Sequence, residues 1–292
     1  MRAVKEYAYA KVNLYLDVTA RRPDGFHDVK TVMHTLSLSD TVTVRATPAA
    51  DCRVTLRLRP AHPLPTDSKN IAYQAAIFFL EASGITAHVD IELEKNIPVA
   101  AGLAGGSSDA AAVLRAMNRL FNRHFSRRAL IDIASRMGSD VAYCLVGKTM
   151  LCEGRGEIMS EILPRPQLNA VIAIADEHVS TPLAYRALDE YYSNFDGTVR
   201  SCSGGSYESL IASIAAGEPP AELFNIFESV ILPKCPGASY LKGRLTELGA
   251  IASAMSGSGP SVFGIFASEE KALAAKDAFA CEGYRAFACH TV

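Results

Sequence analysis

The chain has 292 residues, of which 49% are hydrophobic and 21% charged, and its formal net charge is −2. At this length two domains are the default, and the composition is that of a globular protein. The small net charge gives no basic surface for nucleic acid, and no stretch is apolar for long enough to cross a bilayer. Seven cysteines without a Cys-x-x-Cys pair predict reduced thiols in a cytoplasmic protein.

Alternating apolar residues, rich in Val, Thr and Leu, predict strands in the first third of the chain, at 7–18, 29–46, 52–58 and 87–94. Helical spacing predicts three helices, at about 70–82, 107–122 and 127–137. Strand-like residues follow at 146–153 and 168–175, and residues 193–206 are predicted to form a surface loop. The last quarter is predicted as helix, strand, helix and strand, with Ser256–Gly259 between the first two. Strands precede helices in blocks, which predicts an α+β architecture.

The most informative segment is a run of small residues that leads directly into a predicted helix, from 98 to 113. It leaves the backbone uncovered at three glycines, Gly102, Gly105 and Gly106. Ser107 or Ser108 is the expected N-cap, and Asp109 falls in the first turn, where a carboxylate is favoured. Backbone N–H groups at such a helix N-terminus bind anions, which predicts a phosphate site. The alternative is a plain Gly-rich turn.

Three widespread phosphate-binding patterns are absent. A P-loop ending at Gly147-Lys148-Thr149 would need glycine at Ala142. The dinucleotide pattern Gly-x-Gly-x-x-Gly does not occur around Gly102, and the chain has no His-Arg-Asp or Asp-Phe-Gly of the protein kinases. A nucleotide phosphate must therefore be held by a different device.

Residues Pro98–Ala112 resemble the Pro-x-x-x-Gly-Leu-x-x-Gly-Ser-Ser loop of the GHMP kinases. Four further segments carry the resemblance in the expected order, Ala10–Leu16, Arg22–His27, Met137–Val141 and Met255–Phe263. The resemblance implies the two-lobed GHMP kinase fold within the α+β class. A ribosomal protein S5 domain 2-like N-terminal lobe would occupy residues 1–160, and a ferredoxin-like C-terminal lobe residues 161–292. The chain departs from many relatives by alanine in place of glycine at Ala100, Ala101 and Ala104, and by Ile226 within Asn225–Glu228.

This resemblance implies an ATP-dependent small-molecule kinase, with Mg2+ accompanying the triphosphate. It is strongest to the branch that phosphorylates the 2-hydroxyl of a cytidine diphosphate-linked methylerythritol. The alternatives are a kinase of the homoserine or mevalonate type and an inactive nucleotide-binding regulator. The expected protein is a cytoplasmic monomer or homodimer, with neither nucleic acid nor membrane as a partner.

Two residues are candidates for catalysis. Lys11 lies in an otherwise apolar strand, where an ammonium is costly unless it meets an anion. The alternative is a lysine that reaches solvent along its own stem. Asp140 by itself indicates only the N-cap of a short helix. The resemblance implies that the two form a pair, with Asp140 as the base and Lys11 beside the reacting hydroxyl.

The resemblance also implies the ligand-binding residues. ATP would be bound by Pro98, Val99, Ala100, Ala101, Gly102, Leu103, Ala104, Gly105, Gly106, Ser107 and Ser108, with Asn70 and Lys95 beside the adenine. Ser108 is also the candidate metal ligand.

For the substrate, the resemblance implies Asn13, Phe26, His27 and Tyr185. Phe26 and Tyr185 would stack on both faces of a cytosine while His27 reads its polar edge. From the residues alone, the better interpretation of Phe26 is a hairpin-end side chain that packs inward. Ser256–Ser261 is the second glycine cluster; the resemblance implies that it closes over the ligands, and a turn into a strand is the alternative.

Overall fold

The computed structural model describes residues 2–122, 124–193 and 206–292. Its contacts divide the chain into two compact units, and each unit is assembled from several segments. Unit 1 comprises Met1–Ala10, Ser39–Val99 and Ala104–Gly147; unit 2 comprises Lys11–Leu38, Ala100–Leu103 and Lys148–Val292. Two long strands, β1 (Ala3–Arg21) and β2 (His27–Pro48), contribute residues to both units. The predicted lobe boundary at residue 160 stays a prediction.

Unit 1 places helices beside a sheet. The second half of β2 pairs antiparallel with β4, which also pairs in parallel with β3. The remaining elements of this unit are β3 (Arg53–Arg59), α1 (Ile71–Ser83), β4 (Ala87–Glu94), α2 (Gly105–Leu120), α3 (Arg127–Ser135) and α4 (Ser139–Val146). Every second residue of β4 is buried, as expected for a strand with one face on the core. The predicted elements over 52–58, 70–82, 87–94 and 127–137 are therefore confirmed to within a few residues.

The start of α2 differs from the prediction. The helix begins at Gly105, its N-cap is Ala104, and no side chain caps it. Ser107 and Ser108 therefore lie inside the first turn. The expectation of a serine cap was wrong because the backbone turns into the helix earlier, through left-handed Ala104 (φ 56°). The helix is buried on more than one side, and its alanines Ala110, Ala111, Ala112 and Ala116 are completely buried.

Unit 2 contains an antiparallel sheet in the order β11-β7-β10-β9. Its elements are β5 (Thr149–Glu153), β6 (Ile158–Glu161), β7 (Asn169–Ile174), α5 (Thr181–Ser193), α6 (Ser206–Ala216), β8 (Phe224–Asn225), α7 (Glu228–Ile231), α8 (Pro236–Glu247), β9 (Ala252–Met255), β10 (Val262–Phe266), α9 (Glu269–Cys281) and β11 (Arg285–His290). The hairpin of β5 and β6 pairs with the first half of β2, and β8 pairs in parallel with β1 at Tyr15 and Leu16.

The second glycine cluster connects two strands of this sheet. Ser256–Gly259 follows β9 and precedes β10. The expected place of this cluster, between a helix and a strand, was wrong because the short strand β9 precedes it. Helix α5, which carries Tyr185, had no counterpart in the sequence prediction. Most of the predicted surface loop, residues 194–205, lies outside the described residues. No helix in the described part of the chain has the length and apolarity needed to cross a membrane.

Candidate active site

The N-terminus of α2 in unit 1 has the features of an anion site. The first N–H groups of a helix have no partner within it, and here no side chain caps them. Ser108 is 1% exposed, and its hydroxyl donates to the carbonyl of Tyr9 at 2.7 Å. This bond fixes the start of α2 against β1. Ser108 therefore has a structural partner in addition to its predicted roles toward ATP or metal.

Two alanines of the first glycine loop occupy the backbone conformation that favours glycine. Ala100 has φ 55° and Ala104 has φ 56°. The left-handed region costs a residue with a Cβ about 1–2 kcal/mol. The alanines that replace the glycines of many relatives are thus accommodated at a cost in backbone strain.

A buried ion cluster lies directly behind Gly105. The ammonium of Lys95 binds Asp109 at 2.7 Å and also binds Asp40. Asp40 in turn accepts a backbone hydrogen bond from Ile97 at 2.8 Å. A Cβ built on Gly105 would lie 3.4 Å from the Lys95 ammonium. The two carboxylates therefore hold a positive charge next to the first residue of α2.

The cluster has one more carboxylate than it has ammonium groups, and both its burial and its charges shift the pKa values of Asp109 and Lys95. Burial raises the pKa of Asp109 well above its usual range, and the neighbouring Lys95 only partly offsets this. Burial alone would lower the pKa of Lys95, but the charges of Asp109 and Asp40 outweigh it and raise that pKa. The Oδ1 atom of Asp109 is buried and, among the described residues, has no hydrogen-bond partner.

Asn70 is placed as the N-cap of α1. Its Oδ1 accepts from the backbone N–H of Ala72 at 2.9 Å, and its Nδ2 donates to the carbonyl of Pro65 at 2.8 Å. Both ends of the amide therefore already have partners within unit 1. The contacts of Asn70 and Lys95 with adenine stay predictions.

Asp140 lies in the first turn of α4, where the helix dipole stabilises a carboxylate. The N-cap of α4 is Gly138, so the interpretation of Asp140 as the cap was wrong. Among the described residues of unit 1, none is recorded as donating a hydrogen bond to its half-buried carboxylate.

In unit 2, Lys11 is buried at 4% exposure. Its ammonium donates to Oδ1 of Asn13 at 2.7 Å and to the carbonyl of Gly102 at 2.9 Å. The same Asn13 oxygen accepts from the backbone N–H of Gly257 at 2.9 Å. Ser256 donates to the Gly102 carbonyl at 3.0 Å. These partners are neutral oxygens and not the expected anion, so the pairing of Lys11 with Asp140 stays a prediction. The alternative of a solvent-reaching side chain was wrong, because Lys11 is buried.

These bonds bring the two glycine clusters together within unit 2. A Cβ on Gly102 would lie 2.0 Å from the Ser256 carbonyl oxygen, and one on Gly257 would lie 3.1 Å from the Gly102 oxygen. Only glycine permits that approach, and both residues also have positive φ. Asn13, a predicted substrate residue, is 3% exposed, and its Nδ2 donates to Thr31.

Asn225 and Glu228 hold the second glycine cluster, a role that sequence reasoning missed. Nδ2 of Asn225 donates to the carbonyls of Met255 and Gly257, at 2.7 and 2.8 Å. Glu228 accepts from the N–H of Met255 at 2.7 Å and pairs with Lys242. Both residues belong to Asn225–Glu228, a segment noted from the sequence only for its departure at Ile226. The other residues of this segment were therefore a signal that could have indicated the role.

Phe26 stands at an exposed turn. Its side chain is 56% exposed, so the inward-packed interpretation was wrong. Asp24 accepts the backbone N–H of Phe26 at 3.1 Å. That bond, together with Arg22, lowers the pKa of the Asp24 carboxyl. The guanidinium of Arg155 lies 5.1 Å from the Phe26 ring centroid.

His27 and Tyr185 lie together in the same unit. Their rings stack at 4.7 Å with 25° between their planes, and Nε2 of His27 lies 2.8 Å from Oδ1 of Asp189. The rings of Tyr185 and Phe227 pack edge to face. The structure therefore joins two of the predicted substrate residues. A base held between Phe26 and Tyr185 stays a prediction.

No group of three or more potential metal ligands occurs among the described residues.

Comparison with known proteins identifies the family of the chain. The chain matches the GHMP kinases N terminal domain over residues 70–148 and the GHMP kinases C terminal domain over residues 209–286. It therefore belongs to the GHMP kinase family, and the expectations of an α+β GHMP kinase fold and of a small-molecule kinase are confirmed.

The chain is 39% identical to 4-diphosphocytidyl-2-C-methyl-D-erythritol kinase of Caldicellulosiruptor saccharolyticus, over 92% of this chain and 90% of that protein. A solved structure titled 4-(cytidine 5'-diphospho)-2C-methyl-D-erythritol kinase superposes with a TM-score of 0.80 at 34% identity, covering 98% of both chains. Within the superfamily, the chain belongs to the 4-diphosphocytidyl-2-C-methyl-D-erythritol kinases. Homoserine kinase from Cytophaga hutchinsonii, at 21% identity, a TM-score of 0.76 and coverage of 100% and 95%, shares the fold.

The raised pKa of Asp109 leads to a testable pH dependence. The folded protein holds this proton more tightly than the unfolded chain, so the stability it contributes is complete at low pH and is lost as the pH rises through the folded pKa. Asp109→Asn removes the buried charge. We expect its Tm to exceed that of the wild type at pH 8, with a difference that shrinks toward about pH 4.

Thermal unfolding measured across this pH range checks the prediction. The control is Asp132→Asn, at an exposed aspartate of α3 in the same unit, which should leave the pH profile unchanged. A variant that is less stable than the wild type at pH 8 would show that pairing with Lys95 outweighs burial.

Proposed function

We propose that the chain transfers the γ-phosphoryl group of ATP to the 2-hydroxyl of 4-diphosphocytidyl-2-C-methyl-D-erythritol. The observation that carries the substrate assignment is the combination of an exposed aromatic ring at Phe26 with the stacked pair of His27 and Tyr185 in the same unit. A planar base is bound by stacking and by hydrogen bonds to its edge, and this set supplies both.

The N-terminus of α2 is the proposed site for the ATP phosphates. Uncapped N–H groups and the helix dipole favour anions there, whereas the charge of Lys95 behind Gly105 is already balanced by Asp40 and Asp109. Mg2+ would bind with the triphosphate, supply further charge neutralisation, and take most of its ligands from phosphate oxygens and water. Ser108 stays the candidate protein ligand.

Asp140 is the proposed base that accepts the proton of the substrate hydroxyl. Its carboxylate is half-buried and receives no recorded hydrogen bond from the described part of unit 1. Lys11 is proposed to stabilise the transferring group. An ammonium has three N–H donors, and two of those of Lys11 are used within unit 2, which leaves the third for a phosphoryl or hydroxyl oxygen.

The alternatives fit the residues less well. Homoserine and mevalonate carry no nucleobase, so in a kinase for either acceptor the exposed ring of Phe26 would have no acceptor base to stack on. A catalytically inactive regulator would not need to retain both Lys11 and Asp140. Cytoplasmic location and a monomeric or dimeric state stay predictions.

Asp140→Asn tests the assignment of the base. The substitution preserves size and removes the proton acceptor, so we expect turnover to fall about 100-fold or more, the scale of general-base catalysis. Binding of ATP and the Tm should remain close to the wild type. ADP release and calorimetric titration with ATP measure the two quantities, and Asp132→Asn is the control for charge. Near-normal turnover would remove Asp140 from the mechanism.

Phe26→Ala tests the assignment of the substrate. Stacking of a base on an aromatic side chain is worth about 1–3 kcal/mol, so we expect the KM for the cytidyl substrate to rise about ten- to a hundred-fold. The KM for ATP should hardly change. Because the ring is 56% exposed, the Tm should also be unchanged, and Phe26→Tyr should be nearly silent. Equal losses for ATP and the cytidyl substrate would contradict the assignment.

A further inference from the structure

Asp189 holds the imidazole that is proposed to recognise the base. Nε2 of His27 lies 2.8 Å from Oδ1 of Asp189, and the His27 side chain is 8% exposed. Tyr185, which stacks on the same imidazole, precedes Asp189 by one turn of α5. Residues four apart share one face of a helix. Two side chains of helix α5 therefore hold the imidazole, Tyr185 at its face and Asp189 at its edge.

This contact determines which nitrogen of His27 carries the proton. A carboxylate only accepts hydrogen bonds, so Nε2 must be the donor. Arg21 lies 3.7 Å from the other oxygen, Oδ2, and places a positive charge beside the carboxylate. In a neutral imidazole with a hydrogen on Nε2, the remaining nitrogen, Nδ1, is an acceptor. Among the described residues, no hydrogen bond to Nδ1 of His27 is recorded.

We propose that Asp189 is a positioning residue that makes the enzyme prefer cytosine over uracil, an inference that rests on the proposed cytidyl substrate. Cytosine presents an amine donor at the position where uracil presents an acceptor oxygen. A fixed acceptor at Nδ1 accepts a hydrogen bond from the cytosine amine. Opposite the uracil oxygen, two acceptors would face each other with no hydrogen between them, which is unfavourable. A polar group left unpaired in this way discriminates strongly between substrates. Asp189 acts through His27 and without touching the base.

Asp189→Asn is the first test. An amide can accept from Nε2 or donate to it, so His27 can then also place a hydrogen on Nδ1 and bind the uracil oxygen. We expect the ratio of kcat/KM for the cytidine diphosphate-linked substrate to that for its uridine counterpart to fall at least tenfold. Glu190→Gln, at the exposed neighbouring residue of α5, removes the same charge and should leave the ratio unchanged.

An equal loss of kcat/KM for both substrates in Asp189→Asn, with the ratio preserved, would overturn the inference. Asp189 would then serve only as a structural contact between α5 and His27. A wild-type enzyme that does not phosphorylate the cytidine-linked substrate would instead overturn the proposed function. The two failures are therefore distinguishable in a single set of assays.

A spectroscopic measurement tests the same inference without turnover. In protein labelled with 15N-histidine, the ring signals of His27 are identified by their loss in His27→Gln. We expect the wild type to show a hydrogen on Nε2 only, and Asp189→Asn to show a mixture of both tautomers. A hydrogen on Nδ1 in the wild type, or identical signals in the two proteins, would overturn the inference.

Discussion

The buried ammonium of Lys11 is the group on which the arrangement of Gly102 and the second glycine cluster in unit 2 depends. A lysine at 4% exposure destabilises a fold unless its hydrogen bonds are satisfied. Here two of its three N–H donors are satisfied, by Asn13 and by the Gly102 carbonyl. The same two acceptors bind the second glycine cluster, through the N–H of Gly257 and the hydroxyl of Ser256. The hydrogen bonds that one buried charge requires therefore also fix the relative positions of two chain segments that are far apart in sequence.

Unit 1 repeats this physical arrangement with different residues. Lys95 is buried between Asp40 and Asp109, and its ammonium lies beside Gly105. In unit 2 a glycine lets the ammonium approach the backbone, since a Cβ on Gly257 would come within 3.2 Å of the Lys11 ammonium. In unit 1 a Cβ on Gly105 would lie 3.4 Å from the Lys95 ammonium but only 3.0 Å from the side chain of Ile97, so Ile97 is the tighter neighbour there.

Much of this could be predicted from the sequence where the signal is local. Asn70 before an apolar helix, and the alternation of β4, are properties of a few adjacent residues. The start of α2 was not predictable in this way, because left-handed Ala104 is disfavoured on its own and is held by the surrounding fold. The stacking of Tyr185 on His27 and the support from Asn225 arise only when distant segments fold together. The resemblance located the candidate residues, and the structure added the partners that hold them.

The central claim is that this chain is a kinase for a cytidyl-linked acceptor. The most direct measurement is ATP-dependent ADP release with 4-diphosphocytidyl-2-C-methyl-D-erythritol, mevalonate and homoserine offered in parallel at equal concentrations. The account predicts rapid turnover with the cytidyl substrate and none above background with the other two acceptors. Turnover of mevalonate or homoserine with a higher kcat/KM, or no ADP release with any of the three, would contradict it.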